Sequence, residues 1–284
     1  MPEGDTIFRA ARTLHRALAG QKVTRFETAY AKLARTDDDT PIAGRIVERV
    51  EARGKWNLMY FSGDLILLTH MLMMGSWHIY RPGEKWQRPR SARRVVIHTE
   101  KILAVLFDAQ IAEFHTEKSL QNRKGFQKLG PSLLAADFSR DEALARLRAR
   151  PDLELGVASM TQSLVAGVGN VFKSEVCFVS GLNPFRKVRD LSSKELDTFV
   201  DVAQQLLKAN VTDMSGDQIV TYRGMRRTTS SSNPSERLWV YNRAGEPCRR
   251  CGTRIESYRQ GEEARTTYWC PQCQPARKSG AGAA

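Results

Sequence analysis

The 284-residue chain has no apolar run approaching the roughly 18 residues that a membrane-spanning helix requires. No charged-then-apolar leader precedes its first helical stretch, so a soluble protein that stays in the cytoplasm, without a membrane partner, is expected. Acidic residues are in short supply: 31 Asp and Glu stand against 44 Lys and Arg, a net charge of +13. Such an excess points to a polyanionic partner, most often nucleic acid, although basic proteins also bind membranes or ribosomes. Cysteines are few, five in all. Four of them form two CxxC pairs, which argues against a disulfide framework and for metal in a reducing compartment. The length accommodates two globular units, or two and a small module.

The paired cysteines are the most specific feature. Cys248-x2-Cys251-x18-Cys270-x2-Cys273 has zinc-ribbon spacing, with four thiolates for one closed tetrahedral site. A site with four protein ligands has no open position, so this zinc would be structural. A β-hairpin carrying Arg259 and Arg265 is expected between the pairs, over a module spanning 237–275. Cys177 stands apart on a helical stretch and reads as a small buried apolar residue. The last residues, 276–284, read as a disordered tail.

At the other end stands Met1-Pro2-Glu3-Gly4-Asp5-Thr6. Initiator methionine is normally clipped before a small residue, which would leave Pro2 with a free secondary amine. An α-amino group titrates near ~8, below the ~10.4 of lysine, so more of it is nucleophilic at neutral pH. Its adduct with an aldehyde-level carbon is an iminium, an electron sink that needs no proton. Glu3 can move protons beside it. Asp5 or Thr6 can cap a helix with Ile7, Ala11, Leu14 and Leu18 on one face, and Gly20 ends it. Such a helix would hold the nucleophile in place.

From Lys22 to about Phe114 the pattern is of short β-rich runs at Arg45–Val50, Trp56–Phe61, Leu65–His70, Trp77–Tyr80, Arg94–His98, Ile102–Phe107 and Gln110–Phe114. Regular turn punctuation makes this an N-terminal β-sandwich or barrel, residues 1–130 with the leading helix. The loop Arg81–Arg94 gathers Arg81, Lys85, Arg88, Arg90, Arg93 and Arg94 against Glu84, a solvated loop or a phosphate-facing one. Arg53-Gly54-Lys55 stands where a strand begins, either a surface turn or a close approach of backbone and ammonium to phosphate. His70-Met71-Leu72-Met73-Met74-Gly75 ends another strand. Its apolar residues are core packing, or a wedge that fills the vacancy left by a flipped nucleotide.

Helical patterns follow, over 131–236. Ser139-Arg140-Asp141-Glu142 and Ser192-Ser193-Lys194-Glu195 are capping boxes. Between them Gly167-Val168-Gly169-Asn170 leads into a helix from Val171 to Ser180, stopped by Gly181. Two glycines and an asparagine at a helix start offer backbone N–H groups and a polar cap to phosphate.

The combination of Pro2-Glu3-Gly4, Arg53-Gly54-Lys55, Gly167-Val168-Gly169-Asn170 and the cysteine ribbon resembles the formamidopyrimidine-DNA glycosylase/endonuclease VIII family of base-excision repair enzymes, from Pro2 to about Gln274. The resemblance implies an α+β multidomain fold: an N-terminal β-sandwich with its helix, a helix–two-turns–helix domain and a C-terminal zinc ribbon. It implies a monomeric, nucleoid-associated bacterial enzyme acting on damaged double-stranded DNA. Pro2 would form the Schiff base at the anomeric carbon, with Glu3 handling protons. Lys55, His70, Asn170 and Arg265 would grip phosphates, and β- then δ-elimination would leave a one-nucleotide gap. Leu72, Met73 and Met74 would supply the wedge, with Met73 entering the stack. Two departures stand out. Thr6 occupies the place of a glutamate found in many members, and Asp108-Ala109-Gln110-Ile111 lacks the Arg-and-Phe pair of the 8-oxoguanine-type enzymes. The first leaves the role of a second acid near the nucleophile missing or displaced; the Pro2-Glu3-Gly4 start and the missing pair tilt the expectation to the endonuclease VIII branch and oxidised pyrimidines. An 8-oxoguanine/formamidopyrimidine-type glycosylase, and a non-catalytic nucleic-acid-binding relative, are the alternatives.

Overall fold

Apolar strands that meet on both faces dictate the first of two compact units, which among the described residues ends at Lys128; the second begins at Leu129. The computed structural model describes residues 2–211, 226–229, 231 and 233–276. The fate of Met1 and the expected tail beyond residue 276 lie outside them.

The first unit opens with helix α1, Gly4–Leu18, whose Ile7, Ala10, Ala11, Leu14 and Leu18 are buried. It starts earlier than expected. Ile7 N–H donates to the Glu3 carbonyl at 3.0 Å, so Glu3 is the N-cap residue and Asp5 and Thr6 lie inside the first turn. The Thr6 hydroxyl donates to Asp5 Oδ1 at 3.3 Å instead of capping. Gly20, at φ +78°, turns the chain after the helix.

Eight strands follow: β1 (Arg25–Thr28), β2 (Val47–Arg53), β3 (Trp56–Phe61), β4 (Leu65–His70), β5 (Ser76–Tyr80), β6 (Arg93–His98), β7 (Leu103–Phe107) and β8 (Ile111–His115). They form two antiparallel four-stranded sheets, β1-β6-β7-β5 and β2-β3-β4-β8. Met59, Phe61, Leu65 and Leu67 of one sheet share a core with Trp77, Ile79, Val95, Ile97 and Leu106 of the other and with the apolar face of α1. This is the expected sandwich. The outer faces are covered too, which explains why the strands read as continuous apolar runs. Leu58, Tyr60, Ile66 and Leu68 pack with Leu120 of helix α3 (Glu117–Gln121) and with Phe126. Tyr80, Val96, Val105 and Phe107 pack with Trp86. The basic loop 81–94 therefore has a structural duty: it lays Trp86 on the sheet, and Arg88 pairs with Asp108 at 3.0 Å. Strand β2 runs on to Arg53 because Arg53 pairs with Trp56 across a two-residue hairpin. Strand β1 and helix α2 (Ala31–Asp39) were not anticipated from the sequence pattern.

The second unit packs α4 (Arg140–Arg148), α5 (Leu155–Met160), α6 (Asn170–Val179) and α7 (Ser193–Ala209) around Leu144, Leu155, Phe172, Val176, Phe199 and Leu207. The Ser192–Glu195 capping box is complete. At α4 only half of one forms. Ser139 accepts from Glu142 N–H, while the Glu142 carboxylate turns to Arg146 at 2.7 Å, a charge-assisted partner one turn on. Strands β9 (Glu256–Gln260) and β10 (Arg265–Trp269) make the expected hairpin.

The ribbon is fastened to the helices by buried polar side chains. Glu175 on α6 is fully buried. It accepts N–H bonds from Trp239, Val240 and Tyr241 at 2.8, 2.9 and 2.8 Å, and one from the Thr228 hydroxyl. Gln260 donates to Glu154 and to the Pro184 carbonyl. Gln274 accepts from Cys270 N–H and donates to the Leu182 carbonyl.

Candidate active site and nucleic-acid interface

In the first unit Pro2 and Glu3 are both buried where α1 begins. The N-terminal end of a helix favours negative charge, so a carboxylate is well placed at Glu3. Asp5, one turn in, is also buried and pairs with Arg9 at 4.0 Å. The acid that Thr6 lacks thus has a buried neighbour at the preceding position.

Gly54 and Lys55 form the loop between β2 and β3. Gly54 adopts φ +58°, which the first residue of a tight two-residue turn requires and glycine supplies without strain. The turn sets Lys55 beside His70, near enough for its charge to act on the imidazole. Burial first, then the positive charges of Lys55 and Arg123, push the His70 pKa from 6.5 down to about 4. The ring is therefore neutral at pH 7. Leu72 N–H donates to its Nδ1 at 3.1 Å, so the proton resides on Nε2, which becomes a hydrogen-bond donor.

After His70 the chain makes a tight loop. Met71 is buried in the core, Leu72 sits at φ +47°, and Met73 and Met74 are 56% and 61% exposed. Exposed methionines next to a buried one are not core packing, so the wedge reading fits the loop. Gly75 closes it: its N–H donates to the Met71 carbonyl at 2.8 Å. A Cβ there would lie 2.6 Å from that oxygen and 3.1 Å from Ala109 Cα. The methionine loop is thereby packed on the Asp108–Gln110 connection, where the Arg-and-Phe pair is missing.

In the second unit, α5, the turns over 161–169 and α6 form the helix–two-turns–helix. Gly169 is the N-cap of α6 and Asn170 its first residue, not its cap. Asn170 Oδ1 is buried without a hydrogen-bond partner among the described residues. Gln162, which sequence reasoning missed, shapes this turn. It accepts from Gly167 N–H at 3.1 Å and donates to the carbonyls of Met160 and Val168 at 2.9 and 3.0 Å. Gly167 holds φ +114° there. Helix α6 also packs on the ribbon hairpin, with Tyr268 N–H donating to Ser174 Oγ at 3.2 Å. Arg265 begins β10 and pairs with Glu263 at 2.9 Å, both exposed, a surface pair that a phosphate can displace.

The sulfurs of Cys248, Cys251, Cys270 and Cys273 lie within 4.8 Å of one another. The pairs Cys248–Cys273 and Cys251–Cys270 are 3.9 and 3.5 Å apart. Zn–S bonds of about 2.3 Å put the corners of a tetrahedron about 3.8 Å apart, so the cluster fits zinc. Cys177 takes no part. It is fully buried, and burial pushes its thiol up to about 12.

An N-terminal helix on a two-sheet sandwich, a helix–two-turns–helix and a four-thiolate ribbon define a class of DNA-repair architecture, and comparisons with known proteins identify it. Residues 1–115 match the formamidopyrimidine-DNA glycosylase N-terminal domain. Residues 129–221 match the formamidopyrimidine-DNA glycosylase H2TH domain, and residues 245–276 match the zinc finger found in FPG and IleRS. The chain is 38% identical to "Probable endonuclease 8 2" of Streptomyces coelicolor, over 99% of this chain and 97% of that one. It is 37% identical to "DNA-(apurinic or apyrimidinic site) lyase Nei2" of Mycolicibacterium smegmatis, over 97% of this chain and all of the relative. The crystal structure of Lactococcus lactis Fpg with an abasic site containing DNA has the same fold. Its TM-score is 0.79 at 20% identity, over 97% of this chain and 100% of that one. The chain belongs to the formamidopyrimidine-DNA glycosylase/endonuclease VIII family.

Proposed function

We propose that the chain is a bifunctional DNA glycosylase/AP lyase of base excision repair that removes oxidised bases, with oxidised pyrimidines as its main class. The observation that carries this reading is the buried Pro2–Glu3 pair at the head of α1, in a chain whose relatives bear the names endonuclease 8 and AP lyase.

With Met1 removed, the Pro2 amine attacks C1′ of the damaged nucleotide. The C1′–base bond breaks, and the departing base takes a proton. Glu3 supports opening of the sugar ring, which leaves an iminium between Pro2 and C1′. The iminium acidifies the C2′ proton. Its loss expels the 3′ phosphate, and a second elimination releases the 5′ phosphate. Lys55, the Nε2–H of His70, Asn170 and Arg265 hold phosphates, while Leu72, Met73 and Met74 fill the space of the flipped nucleotide. Zinc bound by the four thiolates keeps the ribbon folded and takes no part in the reaction.

The substrate is damaged double-stranded DNA, bound by a monomer in the bacterial cytoplasm. Among the described residues no helix is long and apolar enough to cross a membrane, and the charge of +13 suits the polyanion. A panel of duplexes, each with one defined lesion, tests the assignment by strand scission. Cleavage at oxidised pyrimidines and abasic sites is expected. Binding without scission on every duplex would support the non-catalytic relative instead.

A further inference from the structure

Beside the methionine loop, the outer face of the β2-β3-β4-β8 sheet carries a chain of contacts that no step above uses. His70 lies opposite Trp56 in the β3–β4 ladder. The two rings meet edge-on, 4.6 Å apart at 73°. The Arg123 guanidinium covers the Trp56 ring, 4.3 Å from its centroid. Arg123 is fixed in turn by both oxygens of Glu113 on β8, at 2.6 and 3.1 Å. His115 holds the same carboxylate at 2.9 Å.

The arrangement has a directional logic. A guanidinium stacked on an indole is held in place by its flat face as well as by its charge. It presses Trp56 into one position, and Trp56 sets the plane of His70. The charged groups around the imidazole are Lys55 and Arg53 from the β2–β3 hairpin, Glu113 and His115 from β8, and Arg123 after α3. The Glu113 carboxylate is engaged by Arg123 and His115, and the charges that act on His70 are the positive ones of Lys55 and Arg123. Protonation is opposed, and the Nδ1 lone pair stays committed to Leu72 N–H.

We propose that Arg123 is a positioning residue which, acting through Trp56 and through its own charge, keeps His70 a neutral imidazole that presents Nε2–H to a DNA phosphate. The inference rests on the reading of His70 as a phosphate-gripping residue. It adds what makes that residue a constant donor across the pH range of the enzyme. A freely titrating histidine would instead change its grip near pH 6.5.

The test uses the zinc-loaded full chain with ring-labelled histidine, and His70→Gln to assign the His70 signal. In the DNA-free wild type the ring should titrate well below 6.5. Arg123→Gln is shorter but places an amide N–H where Nε lies, so it can keep one hydrogen bond to Glu113 while it removes the charge, and it should raise the titration towards 6.5. Arg123→Lys keeps the charge but lacks the flat fork, so it should hold the titration low and still weaken binding.

Affinity for a duplex with a tetrahydrofuran abasic analogue gives the functional readout. Wild type should show no histidine-type inflection between pH 5.5 and 8. Arg123→Gln should lose about fivefold at pH 8, on the scale of one hydrogen bond, and regain part of it at pH 5.5 as His70 becomes charged. A His70 titration and pH profile unchanged in Arg123→Gln would overturn the proposal. If that variant does not fold, a titration that rises to 6.5 in Arg123→Lys would overturn it equally. Affinity that ignores His70→Ala, which removes the donor that a glutamine would restore, would remove the phosphate role. Borohydride trapping on wild type reports separately on the lyase reading, because the titration is measured without DNA.

Discussion

Glu175 offers a quantitative test of how the helices carry the ribbon. Its carboxylate is fully buried. Val240 and Tyr241 N–H converge on Oε1, and Trp239 N–H and the Thr228 hydroxyl meet Oε2. In Glu175→Gln the amide can keep one oxygen for two of these donors, but its NH2 group must then face the others. One buried N–H loses its acceptor, at about 1–3 kcal/mol, and the remaining bonds lose their charge assistance, at roughly 0.5–1 kcal/mol each. The sum is about 3 kcal/mol. For a unit of this size, about 2–4 °C of Tm per kcal/mol gives a fall of roughly 6–12 °C. Thermal unfolding of the zinc-loaded protein, followed by near-UV circular dichroism, measures it. Glu175→Ala, which leaves three backbone N–H groups without a partner, should fall further. A loss below about 1 kcal/mol for both variants would refute the reasoning, since it would mean that these N–H groups are satisfied without the carboxylate.

Met73→Ala should slow removal of a paired damaged base several-fold more than cleavage at a preformed abasic site. Extrusion costs a few kcal/mol only where a base is stacked and paired; equal losses on both substrates in single-turnover assays would return the loop to plain packing. Cys251→Ser, or prolonged chelation, should release one zinc per chain and unfold the ribbon. Metal analysis that finds no zinc in active protein would contradict this. Glu195 is held down at about 2, first by its hydrogen bond from Arg186, so its stabilisation is present above about 4.5 and is lost as the pH falls from there towards 2. Glu195→Gln should therefore be less stable than wild type at pH 7 and show a flatter loss through that acid window in unfolding curves. A parallel loss in both proteins would show that Glu195 does not contribute to the acid transition.

What the sequence made legible was local. Strands β3 and β4 were readable to the residue because Gly54-Lys55 and Ser62-Gly63-Asp64 punctuate them. Helix α7 announced itself by a complete capping box, and the ribbon by its cysteine spacing. Helix α2 escaped because it buries little besides Leu33 and has no side-chain cap. The start of α1 was misplaced for a related reason: Asp5 and Thr6 are good capping types, yet backbone bonding to Glu3 decides the boundary. Gln162, Glu175 and Arg123 were invisible as site residues. Their partners lie up to 67 positions away, and residue type alone does not say which glutamine holds a glycine turn. Pro2, Glu3, Lys55 and the methionine loop could be proposed from the sequence because their chemistry is unusual for their position.

The central claim is that the N-terminal proline is the nucleophile, and borohydride added during turnover on an abasic-site duplex tests it most directly. The iminium should be reduced to a stable bond, and peptide mapping should place that bond on Pro2, with Met1 absent. An N-terminal extension should abolish the adduct, because an amide nitrogen is not nucleophilic, while Pro2→Gly should keep some of it through its remaining terminal amine. Glu3→Gln should bind DNA almost normally, lose base excision steeply and lose less at a site whose base has already gone. An adduct that maps to Lys55, or that survives the extended N-terminus, would contradict the account.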